Sequence, residues 1–468
     1  MQSEIVFHEG LRGSGVVASI TYGRSRVIFD FGAPFTPLTQ PFDGQLEPRA
    51  KAWVADAIRL GQIPPVDGVF RAADLGPLSQ IRPYENSDWT AGIIISHLHL
   101  DHMSGIGMVH PDIPVYLHRD AHRLQLALAE IGEAVGTRSF SPIDLYEPFY
   151  IGEIRVTAYF SDHPCAGAVG YLIEPPDAKY YYSGDVRLHG GRLRQVLDDM
   201  DKLAQEQVDV LILEGTTLSH ADLEAIGFEP LRPSLDIPNG MTSERSLFDG
   251  ILADLSPAPG LGIFNLYHRD MELIRGLFDI AQQCQREIVF EPKSAYVVMR
   301  ILDRYPAIIV PDNQQYEPPL AAYFEEVKRK AARVVTVGEI HAAPERFFIQ
   351  NSYENILELF DWPTRLARYY HLYGVPLVEG GRDYENMLRV LRMTGTHYAA
   401  FADLYCYNHA YPNNLLLMAD RIKAKNLVPV HTSCPEKLTS QYSRQVLPHK
   451  GVAYTLQDGL LAPSDPTL

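Results

Sequence analysis

Short runs of β-branched and apolar residues, each closed by a turn signal, dominate the chain up to about residue 215: SRVIFDFG, AGIIISH, IPVYLH, IRVTAYFSDH, VGYLI, KYYYSGD and VDVLILEG. Most of this pattern predicts strands. Helical stretches, notably RDAHRLQLALAEIG and GRLRQVLDDMDKLAQEQ, interrupt them, so the fold class is α/β with sheets covered by helices. From Gly262 the rhythm becomes strand then helix, in GIFNLY, RDMELIRGLFDIAQQCQ, REIVFEP and SAYVVMRILDRY. A second α/β domain follows from that rhythm, with the proline-rich FEPLRPSLDIPNGMTSE as its entrance. After YENMLRVLRMTG come THYAAFADLYCYNHA, a helix over NNLLLMADRIKAKN, a strand over LVPVHTS, and a closing helix and strand.

Composition narrows the class without setting a function. At 468 residues and 46% hydrophobic content the chain can bury a large core and divides into two or three domains. The amino terminus MQSEIVFHEG has neither a basic region nor an apolar one, and no apolar run approaches the length of a membrane crossing, so a cytoplasmic protein with no membrane partner is expected. Cys165, Cys284, Cys406 and Cys434 are scattered, as reduced thiols are. The net charge of -17 argues against nonspecific coating of polyanions but leaves nucleic acid open. EEVKRKAAR and RIKAK are local basic clusters, read first as solvated helix faces.

The candidate chemistry concentrates in ISHLHLDHMSG. In an extended segment alternate side chains share a face, so His97 and His99 address one point while Leu98 turns into the core. A helical turn after Leu100 then places Asp101 and His102 beside the same point. Neutral imidazole and carboxylate are ligands that Zn²⁺ accepts at roughly 2.0 to 2.2 Å. Chance clustering would produce such a string on the order of once in a thousand chains of this kind.

The H-x-H-x-D-H string resembles that of the metallo-β-lactamase superfamily, and the remaining family positions have counterparts here. Asp30 in VIFDFG matches a carboxylate that braces the ligands, His163 in FSDHPCAGAVGYLI matches the third motif, and Asp185 in YYYSGD matches the bridging aspartate. The resemblance implies an αββα sandwich and two Zn²⁺ ions, with Mn²⁺ the alternative. One ion would be held by His97, His99 and His163, the other by Asp101, His102 and a further histidine, with Asp185 between them.

The closing segment YNHAYPNNLLLMADRIKAKNLVPVHTSCPEKL resembles the β-CASP branch of that superfamily, with His409 at motif B, His431 at motif C and Glu214 in LILEGTT at motif A. This resemblance implies an inserted β-CASP domain at residues 216–395, flanked by two parts of the metallo-β-lactamase domain at 1–215 and 396–468. It further implies a two-metal ribonuclease similar to ribonuclease J, in which His431 completes the second site. A metal-bound hydroxide would attack the phosphodiester, and His409, polarised by Glu214, would donate a proton to the departing oxygen. Histidine at motif C accompanies RNA-processing members, so RNA is the expected partner, with endonucleolytic and exonucleolytic action and self-association left open.

The chain departs from ribonuclease J at motif B, where Tyr407, Asn408 and His409 replace the usual Ser-Gly-His, and the missing serine hydroxyl weakens the case for recognition of a 5′-monophosphate, which stays open. Residue by residue, His409 has a second reading as an aromatic-cluster histidine between Tyr407 and Tyr411. Arg269 has two: a phosphate-holding guanidinium at the start of RDMELIRGLF, or an ordinary exposed arginine. Two other functions remain alongside the ribonuclease, a hydrolase of a small ester, thioester or lactone and a non-catalytic RNA-binding descendant.

Overall fold

Alternation at the start of the chain builds the first layer. In Glu4–Glu9 the side chains of Ile5 and Phe7 turn inward, and in Val17–Tyr22 those of Ala18 and Ile20 do the same. A computed structural model describes residues 1–34, 42, 46–77, 79–136, 138–219, 232–238, 241–311, 321–372, 381–400 and 408–465. Among the described residues the first sheet has eight strands, in the order Leu460–Pro463, Ala453–Gln457, Glu4–Glu9, Val17–Tyr22, Ser25–Phe29, Thr90–Ile94, Val115–His118 and Ser141–Ile143. Neighbours are antiparallel as far as Ser25–Phe29 and parallel beyond it.

The second sheet has, among the described residues, seven strands in the order Arg444–Gln445, Asn426–Val430, Val210–Glu214, Tyr180–Tyr182, Val169–Glu174, Ile154–Phe160 and Phe149–Ile151. Ile5, Phe7, Phe29 and Ile94 of the first sheet meet Val156, Tyr171, Ile212 and Val428 of the second in one dry core. Helices Leu193–Gln205 and Pro412–Ile422 cover the outer face of the second sheet, through Val196, Met200, Leu415 and Ala419. Helix Arg119–Glu130 covers the first, burying Ala121, Leu124, Ala127 and Leu128 at helical spacing. The fold is therefore α/β with an αββα sandwich.

A third sheet has, among the described residues, six parallel strands in the order Ala307–Ile308, Glu287–Phe290, Phe347–Gln350, Gly262–Leu266, Arg368–Leu372 and His397–Tyr398. Helices Met271–Gln283 and Pro292–Leu302 pack on one face and Arg382–Thr394 on the other. Helix Pro292–Leu302 also packs against Arg119–Glu130, so the third sheet's layer is joined to the sandwich by a helix pair.

The carboxyl end of the chain differs from expectation. In place of a closing helix there is one 3-10 turn, Pro435–Lys437, followed by strands Arg444–Gln445, Ala453–Gln457 and Leu460–Pro463. Asp458 and Gly459, both at positive φ (51° and 79°), make the tight turn that folds the last two strands into a hairpin against Glu4–Glu9. The basic clusters are paired with acids: Lys328 with Glu325 and Lys330 with Glu326 on helix Ala321–Lys330, and Arg421 with Asp201 and Lys425 with Asp209 at and beyond the end of helix Pro412–Ile422. Among the described residues no helix is long and apolar enough to cross a membrane.

Candidate metal centre

Side chains with metal-binding chemistry collect at the carboxyl ends of strands, where open α/β sheets place their ligands. Asp30 follows Ser25–Phe29, His97 and His99 follow Thr90–Ile94, His163 follows Ile154–Phe160, Asp185 follows Tyr180–Tyr182, and His431 follows Asn426–Val430. The expected turn after Leu100 is present as the short helix Leu100–Met103, capped by His99, which carries Asp101 and His102. Asp30 and His431 take left-handed backbone angles (φ 54° and 52°), which turn the chain sharply off each strand and aim both side chains inward.

Three groups of donors result. His97, His99, His163 and Asp185 form one, Asp101, His102 and His431 a second, and Asp185, Glu214 and His409 a third, each with its ligand atoms within 4.8 Å of one another. Asp185 Oδ2 stands 3.5 Å from His97 Nε2, 3.2 Å from His102 Nε2, 3.7 Å from His163 Nε2 and 3.8 Å from His409 Nδ1, so it lies among all three. His431 Nε2 lies 3.0 Å from Asp101 Oδ2, and His163 Nε2 lies 3.0 Å from His99 Nδ1.

The outward nitrogens are already engaged. His102 Nδ1 donates to Asp30 Oδ2 at 2.8 Å, and His163 Nδ1 donates to the carbonyl of Asn408 at 2.8 Å. His97 Nδ1 contacts Ser96 Oγ at 3.0 Å and His431 Nδ1 contacts Thr216 Oγ1 at 2.6 Å. Asp30 is fully buried and also accepts from Ser96 N, Ser96 Oγ and Tyr182 Oη. Such partners fix the tautomer and leave the inner nitrogen as a lone-pair donor.

The inner atoms fit a divalent cation. His97 Nε2, His102 Nε2 and Asp185 Oδ1 are buried and complete no hydrogen bond, a costly arrangement unless a positive ligand serves them. Burial holds the His97 and His163 imidazoles well below their ordinary pKa, keeping them neutral as ligands must be. Burial works against charge on His102 too, yet Asp185, Asp101 and Asp30 overcome it and hold that ring well above its ordinary value. The carboxylates thus demand positive charge at the centre. Burial would lift the Asp185 carboxyl, but His102, His431 and His409 hold it well below the usual range.

His409 stands at the rim, its Nδ1 3.0 Å from Glu214 Oε1 and its ring 5.3 Å from that of His163 and 5.7 Å from that of His431. Burial disfavours its charged form, but Glu214 and Asp185 reverse the balance and hold its pKa at about 9. Of the two tyrosines in the aromatic-cluster reading of His409, Tyr411 donates its Oη to the carbonyl of Thr242 and Tyr407 lies outside the described residues. Arg269 is not the ordinary exposed arginine of the second reading: it is buried, and Nη1 donates to the Leu98 carbonyl at 2.6 Å.

Sequence reasoning missed the braces Ser96, Tyr182 and Thr216. It also missed a buried ion cluster in which Arg187 joins Asp162 at 3.0 Å and Glu244 at 2.6 Å. Arg187 and Asp162 lie within two residues of Asp185 and His163, and that proximity in sequence was their one available signal.

Comparison with known proteins agrees with this geometry. Residues 64–237 match the Beta-lactamase superfamily domain. Ribonuclease J of Pyrococcus abyssi (strain GE5 / Orsay) is 25% identical over 232 residues, 47% of this chain and 47% of its own, so the chain spans about half the length of that curated relative. A crystal structure of a protein of unknown function from Enterococcus faecalis V583 shares the fold, with a TM-score of 0.75 and 21% identity over 97% of this chain and 100% of its own. The chain is thus similar over residues 64–237 to the Beta-lactamase superfamily domain, with an additional α/β layer beside its sandwich, and its convergent histidines and aspartates are compatible with a metal site.

Proposed function

We propose that this protein is a two-metal ribonuclease of the β-CASP type, with residues 216–395 as the inserted domain and the cleft beside His409 as the place of phosphodiester hydrolysis. One observation carries the reading: a histidine paired with a carboxylate, His409 with Glu214 at 3.0 Å, adjoins two metal-type donor groups that meet at Asp185. A hydrolase that releases a good leaving group has no need of such a pair, whereas a ribose alkoxide needs a proton as it departs. The resemblance of the motifs around Glu214, His409 and His431 to those of RNA-processing members supports the same reading, as does the relative named ribonuclease J.

His97, His99 and His163 would hold one ion and Asp101, His102 and His431 the other, with Asp185 shared. When bound, two divalent ions, Zn²⁺ or Mn²⁺, supply Lewis-acid stabilisation of charge on the scissile group and a nucleophile near neutral pH. The protein's own residues do the rest. Glu214 keeps the His409 imidazole protonated and aimed through Nδ1, which leaves Nε2–H to protonate the departing oxygen. Asp30 orients His102 through its Nδ1, and the Asn408 carbonyl orients His163 in the same way.

The test is metal analysis of the purified protein, followed by incubation with end-labelled RNA, single-stranded DNA and a chromogenic ester. RNA is cleaved, Asp185→Ala loses both metal and activity, and His409→Ala keeps its metal while cleavage slows. Ester turnover that ignores the His409 change, with RNA left intact, would sink the proposal in favour of a small-ester hydrolase.

A further inference from the structure

The two loops that carry His163 and Asp185 are tied to each other by backbone and side chain alike. Arg187 N donates to the Asp162 carbonyl at 2.7 Å, and Ser161 Oγ donates to the Asp185 carbonyl at 2.6 Å. Charge joins Arg187 and Asp162 a second time, since Arg187 Nε donates to Asp162 Oδ1 at 3.0 Å. Asp162 Oδ2 then accepts from the Arg192 amide at 3.2 Å, which holds the far end of the loop that follows Asp185. A Cβ at Gly190 would fall 2.5 Å from both Arg187 Nε and Asp162 Oδ2, so this loop closes directly over the pair.

The remaining member of the cluster comes from outside the sandwich. Glu244, the first residue of helix Glu244–Leu255, accepts from Arg187 Nη2 at 2.6 Å through Oε1 and from Gly191 N at 3.0 Å through Oε2. Its own amide donates to the His189 carbonyl at 3.2 Å. That helix packs on Met271–Gln283 in the layer of the third sheet. Arg187, Asp162 and Glu244 are 1%, 3% and 6% exposed, so solvent cannot replace a partner that is lost.

We propose that Glu244 is a positioning residue for the metal-type centre: through Arg187 and Asp162 it fixes the spacing of His163 and Asp185, so that the additional α/β layer takes part in metal retention. This rests on the metal-site part of the reading above and not on the choice of substrate. A carboxylate is suited to the task because both of its oxygens accept. The isosteric amide has one oxygen, so its NH₂ must face a donor, either Arg187 or Gly191, and one of the two ties to the Asp185 loop is broken. Partners that touch a ligand directly are worth about tenfold to a hundredfold in metal affinity, and Glu244, one step further out, belongs at the lower end of about tenfold.

The experiment uses Co²⁺, whose visible absorption reports the geometry of its ligands, introduced by expressing the protein in Co²⁺ medium. Retention is read by competition with a chelator of graded concentration. Glu244→Gln gives up its Co²⁺ at about tenfold lower chelator than the wild type and shows a shifted absorption band. Glu244→Asp, which keeps both oxygens on a shorter arm, lies between the two. Glu133→Gln, which breaks a different carboxylate tie between the same layers, matches the wild type in both readouts. A Glu244→Gln protein that melts lower but keeps the wild-type band and retention would overturn the proposal, because Glu244 would then be structural only. A Glu133→Gln change as large as that of Glu244→Gln would overturn it too, by tracing the effect to general loosening of the layers. Both of these leave the metal site standing, whereas a wild type that takes up no Co²⁺ would overturn the metal-site reading together with the proposal.

Discussion

His409 and Glu214 behave as one unit, because the carboxylate supplies the charge that a buried imidazole needs in order to stay protonated. His409→Ala is expected to slow RNA cleavage by about a hundredfold to ten thousandfold, the usual worth of a positioned acid, with metal content unaltered. Glu214→Gln leaves the ring in place without its charge partner and should fall between the wild type and His409→Ala. Single-turnover cleavage and metal analysis of the three proteins check this, and a Glu214→Gln enzyme at full rate would contradict it. At this scale most of the donor cluster was legible, since the spacing of His97, His99, Asp101 and His102 is a local signal that needs no fold to read. The braces were not. Thr216 reaches His431 from 215 positions away, and the partner of His163 is the backbone carbonyl of Asn408, which no residue type announces.

The end of strand Ser25–Phe29 is bolted directly to the helix that carries Asp101 and His102. Phe31 N donates to the His102 carbonyl at 2.8 Å and Gly105 N donates to the Phe31 carbonyl at 2.9 Å, which draws the two backbones into contact at Gly32. A Cβ at Gly32 would fall 1.9 Å from the Asp101 carbonyl oxygen and 2.4 Å from the His102 amide nitrogen. Backbone cannot swing aside as a flexible side chain can, so Gly32→Ala must push helix Leu100–Met103 out of place, at a cost at or above the roughly 1–3 kcal/mol of an overpacked core. The expected outcome is loss of metal binding at the Asp101–His102–His431 group, read by metal stoichiometry. Gly107→Ala serves as control, because a Cβ there meets its nearest atom at 3.6 Å and should change nothing. Elements with long, uniform patterns were readable from sequence, such as Arg119–Glu130 and Met271–Gln283, whereas the closing segment was misread as helix followed by strand. Its Asp458–Gly459 pair carried the hairpin signal, but the partner strand, Glu4–Glu9, lies at the other end of the chain.

The third sheet's layer and the sandwich are held together by charge as well as by the helix pair. Glu133, just beyond helix Arg119–Glu130, takes His268 at 2.9 Å and Lys293 at 3.1 Å, and Glu130 takes Arg300 at 2.9 Å. These contacts were illegible in the sequence, where Arg269 and His268 carried no pairing pattern and their acceptors lay more than a hundred positions earlier. Burial would raise the Glu133 carboxyl, but the hydrogen bond and charge of His268, with Lys293, hold its pKa at about 2, below the ordinary 4.5. A carboxyl whose folded-state pKa is depressed contributes stability that is fully present above its unfolded pKa and disappears as pH falls toward the folded value. The wild type should therefore melt higher than Glu133→Gln by a constant margin from about pH 7 down to about pH 5, and the margin should shrink steadily between pH 4.5 and pH 2. Thermal unfolding of the two proteins across that range measures it. A margin that stays constant to the acid end would show that the Glu133 carboxylate does not hold the two layers together through its charge.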